Sequence, residues 1–274
     1  MSLNGKKLGF IGGGAMAEAL LTGITGAGLL PAQQIMASDI SEQRRAYLKE
    51  KFAIGVTTDN STVINHADIV ILAVKPFVMS EVLAETGSRF SSGQIVISIA
   101  AGISTTYIEK YLAGQVPVVR AMPNTPALLS AGATAVCCGR WALDRHQQLA
   151  LSLFSAVGRA VPVPEKLMDA VTGLSGSGPA YMYIIAEALA DAGVRMGLPR
   201  DVALILASQT MLGSARMIQE TGRSPAVLKD MVTTPGGTTI EGLFALEESG
   251  IRAAMYRAVE RASRRSAELS GEAK

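Results

Sequence analysis

Short, β-branched apolar runs alternate with longer helical stretches over residues 1–165. The runs at 7–11, 34–38, 56–58, 69–74, 95–100, 116–122, 133–138 and 159–163 read as strands. Strand and helix in regular turn mark βαβ units and a largely parallel sheet. Ile69-Val-Ile-Leu-Ala-Val74 and Ile95-Val-Ile-Ser-Ile-Ala100 are nearly continuous apolar runs, which predicts central strands covered on both faces. Amphipathic helices such as 41–52 fall between them, with Asp39 or Ser41 available as the N-cap.

After Pro162-Val-Pro164 the pattern changes, and from Leu167 onward no strand-like alternation is found. The stretch 179–196 is apolar on almost every side, through Ala180, Tyr181, Met182, Ile184, Ile185, Ala186, Ala188 and Leu189, and 202–218 is similar. A helix apolar all round must be buried all round. The remaining helical chain is too short to cover two such helices, so an intertwined dimer is expected, with a compact monomeric bundle as the alternative. The expected architecture is an α/β domain over 1–165 followed by an all-α dimerisation domain over 166–274.

The chain has 274 residues, 49% of them hydrophobic, with 25 Lys and Arg against 23 Asp and Glu. That balance lacks the basic field of a nucleic-acid binder or a membrane binder, so neither partner is expected. Arg257, Arg261, Arg264 and Arg265 share one helix face with Glu260 and Glu268, which reads as a solvated face. Cys137 and Cys138 would point to opposite faces of a strand, as a buried structural pair rather than a disulfide framework. Met1-Ser-Leu-Asn-Gly-Lys-Lys7 runs straight into the first strand, with no signal-peptide pattern, and no apolar stretch could span a bilayer. A soluble, cytoplasmic protein is expected. The two histidines, His66 and His146, lie on polar segments and are expected at the surface. No metal site is expected, and the chemistry should belong to a cofactor.

The first strand ends in Gly9-Phe-Ile-Gly12-Gly13-Gly14-Ala15-Met16-Ala17. Gly12, Gly14 and Ala17 fit the G-x-G-x-x-G/A pattern: a tight turn, close approach of a pyrophosphate, and close helix packing. The pyrophosphate would sit at the N-terminus of the helix that follows, where free N–H groups favour an anion. A strand before and a helix after supply the context of a Rossmann-like domain. The second strand ends at Asp39, where a carboxylate would bond the adenosine ribose hydroxyls and favour NAD over NADP. Two readings stand beside that one. Ser38, Arg44 and Arg45 could hold a 2′-phosphate, or Asp39 could simply cap the next helix.

Lys229-Asp-Met-Val-Thr-Thr-Pro-Gly-Gly-Thr-Thr-Ile-Glu241 is the most informative stretch of the C-terminal half. Thr238 and Glu241 have capping-box spacing, which predicts a helix starting at Thr238. Gly236 and Gly237 would let backbone N–H groups turn towards a small carboxylate. Thr239 then falls in the first turn with its hydroxyl free to meet what reacts. An ordinary capped helix after a Pro-Gly turn explains the same residues.

Phe10-Ile-Gly-Gly-Gly-Ala-Met16, Ala73-Val-Lys-Pro76, Met122-Pro-Asn-Thr-Pro126, Val171-Thr-Gly-Leu-Ser-Gly-Ser-Gly-Pro-Ala-Tyr181 and Thr234-Pro-Gly-Gly-Thr-Thr239 occur in this order. Through them the chain resembles the pyrroline-5-carboxylate reductase family over essentially its whole length. The resemblance implies reduction of the imine of pyrroline-5-carboxylate to L-proline by NADH or NADPH, on a domain-exchanged dimer. It implies that Ile11, Gly12, Gly13, Gly14, Ala15 and Met16 cradle the pyrophosphate, and that Ser38, Asp39 and Asn60 face the adenosine end. Ala73, Val74, Lys75, Pro76, Ala100 and Ala101 would line the cofactor towards the nicotinamide, with Asn124 nearby. Glu165, Val232, Thr234, Gly237, Thr238 and Thr239 match positions around the substrate, with Thr239 bonded to the ring nitrogen as the catalytic residue. Ala15 stands where many members carry Asn or Gln, and Met231 where some carry Asn.

Two other functional classes share parts of this pattern. A β-hydroxyacid dehydrogenase needs a lysine shortly after a Gly-x-Gly, and Gly176-Ser-Gly178 is followed by Pro-Ala-Tyr-Met182 instead. A non-catalytic nucleotide-binding regulator would have no use for Pro235-Gly-Gly-Thr-Thr239.

Overall fold

The computed structural model describes Leu3 and residues 5–272. Met1, Ser2 and Asn4 of the N-terminal run, with residues 273 and 274, lie outside the described residues. Two compact units emerge: residues up to Ser177 together with those from Glu260 on, and Gly178–Val259.

The first unit alternates strand and helix as β1 (Leu8–Ile11), α1 (Ala15–Gly26), β2 (Ile35–Ser38), α2 (Glu42–Phe52), β3 (Gly55–Thr57), α3 (Asn60–His66) and β4 (Ile69–Leu72). It continues through α4 (Met79–Thr86), β5 (Ile95–Ser98), α5 (Thr105–Glu109), β6 (Val118–Met122), β7 (Gly132–Cys138), α6 (Asp144–Ser155) and β8 (Gly158–Pro162). One sheet holds all eight strands in the order β3-β2-β1-β4-β5-β6-β7-β8. The eight expected strands all form, with ends shifted by up to two residues. Every pairing is parallel except β6 with β7. That connection carries only the 3-10 turn Thr125–Leu129, too short for the crossover a parallel pair needs. β1, β4 and β5 are buried along their whole length. Leu8, Phe10, Ile69 and Ile71 pack on one face with Leu20, Leu21 and Ile24 of α1. Ile11, Val70, Leu72 and Val96 pack on the other with Val63, Ile64 and Leu83.

Of the two cap candidates for α2 it is Ser41 that serves, its Oγ accepting the Arg44 N–H at 3.3 Å. His146 is buried and His66 half-buried rather than at the surface. His146 Nδ1 accepts the Leu143 N–H at 3.0 Å, reaching back from the third position of α6 to the N-cap as a capping-box side chain does. Burial, helped by Arg145, pushes its imidazole pKa down.

Beyond β8 lie α7 (Met168–Val171), α8 (Gly178–Arg195), α9 (Arg200–Thr221), α10 (Pro225–Met231), α11 (Thr238–Glu248) and α12 (Ile251–Glu272). Between α7 and α8 the chain makes a π-turn over Thr172–Gly176, with the Ser177 N–H reaching the Thr172 carbonyl at 2.8 Å. The end of α12 belongs to the first unit because Ser266 Oγ donates to Asp169 Oδ1 at 2.7 Å. The expected division at 165/166 follows the end of the sheet, whereas the compact units part at 177/178. The arginine face on α12 is exposed, with Arg264 paired to Glu260 and Arg265 to Glu268, both at 2.9 Å. Within the second unit, α8 and α9 meet through Ala190, Ala203, Ala207 and Val194. Tyr183, Ile184, Leu204 and Ile205 are left exposed. Among the described residues, no helix is long and apolar enough to cross a membrane.

Candidate active site

The strand order turns back between β1 and β4, and a cleft of about 320 Å³ opens at the carboxyl ends of the strands there. This is where open α/β sheets bind ligands. Gly12 closes the turn after β1 at φ +94°, and a Cβ on it would lie 2.9 Å from the Ala73 carbonyl. Only glycine fits. A Cβ on Gly14 would meet nothing within 4 Å, so the wall beside the first turn of α1 stays open to a ligand. Gly12, Gly14, Ser38, Asp39, Asn60, Ala73, Val74 and Lys75 all line this cleft.

The polar groups of the cleft are tightly connected. Asp39 Oδ2 accepts the Gly13 N–H and Oδ1 the Ser41 N–H, each at 2.8 Å. Ser38 Oγ donates to Asn60 Oδ1 at 2.7 Å. Arg45 donates to the carbonyls of Asp39 at 2.7 Å and Ile40 at 3.0 Å. Arg44 bonds the Gly13 carbonyl through Nε, the Gly14 carbonyl at 3.2 Å and Glu18 Oε2 at 2.6 Å. Glu18 Oε1 also accepts from Tyr47 at 2.6 Å and Lys51 at 2.8 Å. Burial raises the Glu18 carboxyl, but the bonds from Lys51, Tyr47 and Arg44 outweigh it and hold its pKa at about 2.

The other cofactor candidates sit around the cleft rather than on its wall. Ile11 is a core residue whose carbonyl accepts the Ala73 N–H at 2.8 Å. Gly13 faces Asp39 and Leu48, Ala15 and Met16 open α1, and Pro76 begins the 3-10 turn Pro76–Val78. Ala100 is buried and Ala101 exposed just past β5. Both ends of the Asn124 amide are engaged, Nδ2 with the Ser175 carbonyl at 2.9 Å and Oδ1 with the Ala133 N–H at 2.8 Å. Sequence reasoning missed Ile40, Thr58, Val78 and Val82, which also line the cleft. Ile40 and Thr58 follow strand ends and could have been found from that alone. Val78 and Val82 could not, because they enter only through the path of the chain after β4.

In the second unit, Thr234-Pro-Gly-Gly237 makes a tight turn, with Gly236 at φ +64° and the Gly237 N–H bonded to the Thr234 carbonyl at 3.1 Å. A Pro followed by a positive-φ Gly is a type II turn. α11 starts at Thr238 as expected, but its N-cap is Gly237, with no side-chain cap. The expected capping role of Thr238 is therefore corrected: it is already helical, and a cap must be extended. Thr239 is half-buried in the first turn, and Thr234 and Thr238 are exposed. Val232 lines an apolar cavity of about 300 Å³ between α9 and α10. Glu165 lies in the first unit, its carboxylate accepting the Thr105 N–H at 2.7 Å and the Thr105 hydroxyl at 2.5 Å. Buried Arg120 stands 3.7 Å away. Cys137 and Cys138 are free. Burial, with the charge of Glu165, pushes the Cys137 thiol up to about 12, so it offers no thiolate nucleophile at neutral pH.

Sheet, glycine-rich turn and strand-end cleft together define a dinucleotide-binding α/β protein of the oxidoreductase kind. The family model for pyrroline-5-carboxylate reductase dimerisation matches residues 165–269, and that for NADP oxidoreductase, coenzyme F420-dependent, matches residues 7–102. A pyrroline-5-carboxylate reductase of Methanosarcina acetivorans is 49% identical, over 97% of this chain and 99% of its own. One from Arabidopsis thaliana is 45% identical, over 96% and 95%. Among solved structures, the Coxiella burnetii pyrroline-5-carboxylate reductase superposes with a TM-score of 0.92 at 38% identity, covering 97% of this chain and 99% of that one. The Plasmodium falciparum pyrroline carboxylate reductase, with NADP bound, gives 0.86 at 31%, covering 97% and 98%. The chain belongs to the pyrroline-5-carboxylate reductase family.

Proposed function

We propose that this protein reduces the imine of 1-pyrroline-5-carboxylate to L-proline with NADH or NADPH, as the last, cytosolic step of proline synthesis. The carrying observation is the Thr234-Pro-Gly-Gly237 turn that feeds the uncapped N-terminus of α11, in a chain that also holds the cleft. Bound in that cleft, the nicotinamide would supply the hydride. Beyond the turn that Gly237 closes, the backbone N–H groups of Thr238 and Thr239 meet a carboxylate where the helix dipole favours it. The Thr239 hydroxyl orients the ring nitrogen and holds the proton that makes the imine electrophilic, so no strong acid is needed. Glu165, Val232 and Thr234 are assigned to the same substrate, and Asn124, Ala100 and Ala101 to the nicotinamide side of the cofactor. The acting species is a homodimer or an assembly of dimers. Purified protein should oxidise NADH or NADPH when pyrroline-5-carboxylate is added, and should leave small 2- and 3-hydroxy acids untouched with the oxidised coenzymes. Brisk hydroxyacid oxidation beside inert pyrroline-5-carboxylate would overturn the assignment.

A further inference from the structure

We propose that this protein selects NADH over NADPH, and that Glu18 sets the choice by holding the Arg44 guanidinium away from a 2′-phosphate beside Asp39. The two coenzymes differ only at the 2′ position of the adenosine ribose, so the selecting groups must lie at the end of β2. There the cleft presents the Asp39 carboxylate, fixed by the Gly13 and Ser41 N–H groups. A 2′-phosphate brings about two negative charges against it, a repulsion only a nearby free cation could offset. Two arginines stand on this side, each held by backbone carbonyls, and only Arg44 is also ion-paired. Arg45 is bonded to the carbonyls of Asp39 and Ile40, where it shapes the turn. Arg44 is bonded to the carbonyls of Gly13 and Gly14, and its charge is met by Glu18. Lys75 also lines the cleft, but after β4, two strands from Asp39 in the order β2-β1-β4. Ser38 cannot easily serve a phosphate either, since its hydroxyl is buried and donates to Asn60. The Glu18 carboxylate, with its pKa at about 2, stays charged across the working range of pH. Glu18 is thus a positioning residue for coenzyme choice, acting through Arg44.

The proposal rests on the dinucleotide reading of the cleft and not on the imine substrate, so binding is measured without substrate. Purified protein is titrated with NADH and with NADPH, following reduced-nicotinamide fluorescence, and the ratio of the two Kd values is taken. Loose packing from a mutation weakens both coenzymes alike and cancels in that ratio. Wild type should bind NADH about tenfold or more tightly than NADPH. Asp39→Ser and Glu18→Gln should each cut that preference about fivefold or more, and adding Arg44→Gln to Glu18→Gln should abolish the second gain. Should Glu18→Gln not fold, Arg44→Gln alone decides: it should leave the ratio within about twofold of wild type. Equal binding of both coenzymes by wild type, or a marked loss of NADPH binding in Arg44→Gln, overturns the proposal alone. Failure of either coenzyme to bind overturns it together with the cofactor reading.

Discussion

At the scale of single residues, Thr238 and Thr239 are neighbours with different tasks. Thr239 is half-buried in the first turn of α11, and its hydroxyl is assigned to a nitrogen whose charge changes during the reaction. A hydrogen bond to a charged group contributes roughly 1.5–3 kcal/mol. If most of that is felt in the transition state, Thr239→Ala should lower kcat/KM about 10- to 200-fold with coenzyme affinity unchanged. Thr239→Ser keeps the hydroxyl and should retain most activity. Thr238 is exposed and does not cap the helix, so Thr238→Ala should change stability by no more than about 0.5 kcal/mol and cost little turnover. Steady-state kinetics and thermal melts on the three variants check this. Full activity in a folded Thr239→Ala protein would show that another group serves the nitrogen.

At the scale of elements, the sheet was legible because buried parallel strands are written as uninterrupted apolar runs, as Ile69–Leu72 and Ile95–Ser98 are. Direction is not written in such a run, so the reversal of β7 was not legible. The capping-box spacing of Thr238 and Glu241 marked the right place but the wrong residue, because the extended cap position is taken by Gly237 and Thr238 is already in the helix. The π-turn at Thr172–Gly176 was invisible, since the Ser175 carbonyl is held by Asn124, far away in sequence. In the cleft wall, Ser38 and Asp39 were readable from a strand end, whereas Val78 and Val82 were not. Nor could the sequence show that Glu18 on α1 is bonded by Arg44, Tyr47 and Lys51 on α2. That tie has a measurable consequence. The folded carboxyl titrates at about 2 against an ordinary 4.5, so the stabilisation is whole above 4.5 and drains away as pH falls towards 2. The melting-temperature gap between wild type and Glu18→Gln should be widest above about pH 5, shrink below about pH 4.5 and close only as pH approaches about 2. A gap independent of pH would mean the three donors hold no charged partner.

At the scale of the whole molecule, the second unit carries more apolar surface than a single copy can hide. α8 and α9 meet through alanines, and a Cβ on Gly193 would come within 3.1 Å of Ala203. Small residues therefore serve the contact within the chain, and the large ones are turned outward. Tyr183 is 65% exposed, Ile184 66%, Ile205 65% and Leu206 52%. So many large apolar side chains turned outward on two helices mark an interface rather than a solvated surface. The match to a dimerisation family over residues 165–269 says what kind of surface covers it. We therefore expect light scattering at micromolar concentration to give a dimer of the 28.6 kDa chain, or a multiple of that dimer. Placing a carboxylate in the patch, as Ile184→Glu with Ile205→Glu, should shift the species towards monomer. A two-fold interface repeats each substitution, and every buried unpaired charge is strongly unfavourable. The first unit builds its core from its own sheet and helices, so coenzyme binding should outlast imine reduction in the double variant. A wild-type protein that is monomeric and fully active at micromolar concentration would refute the dimer.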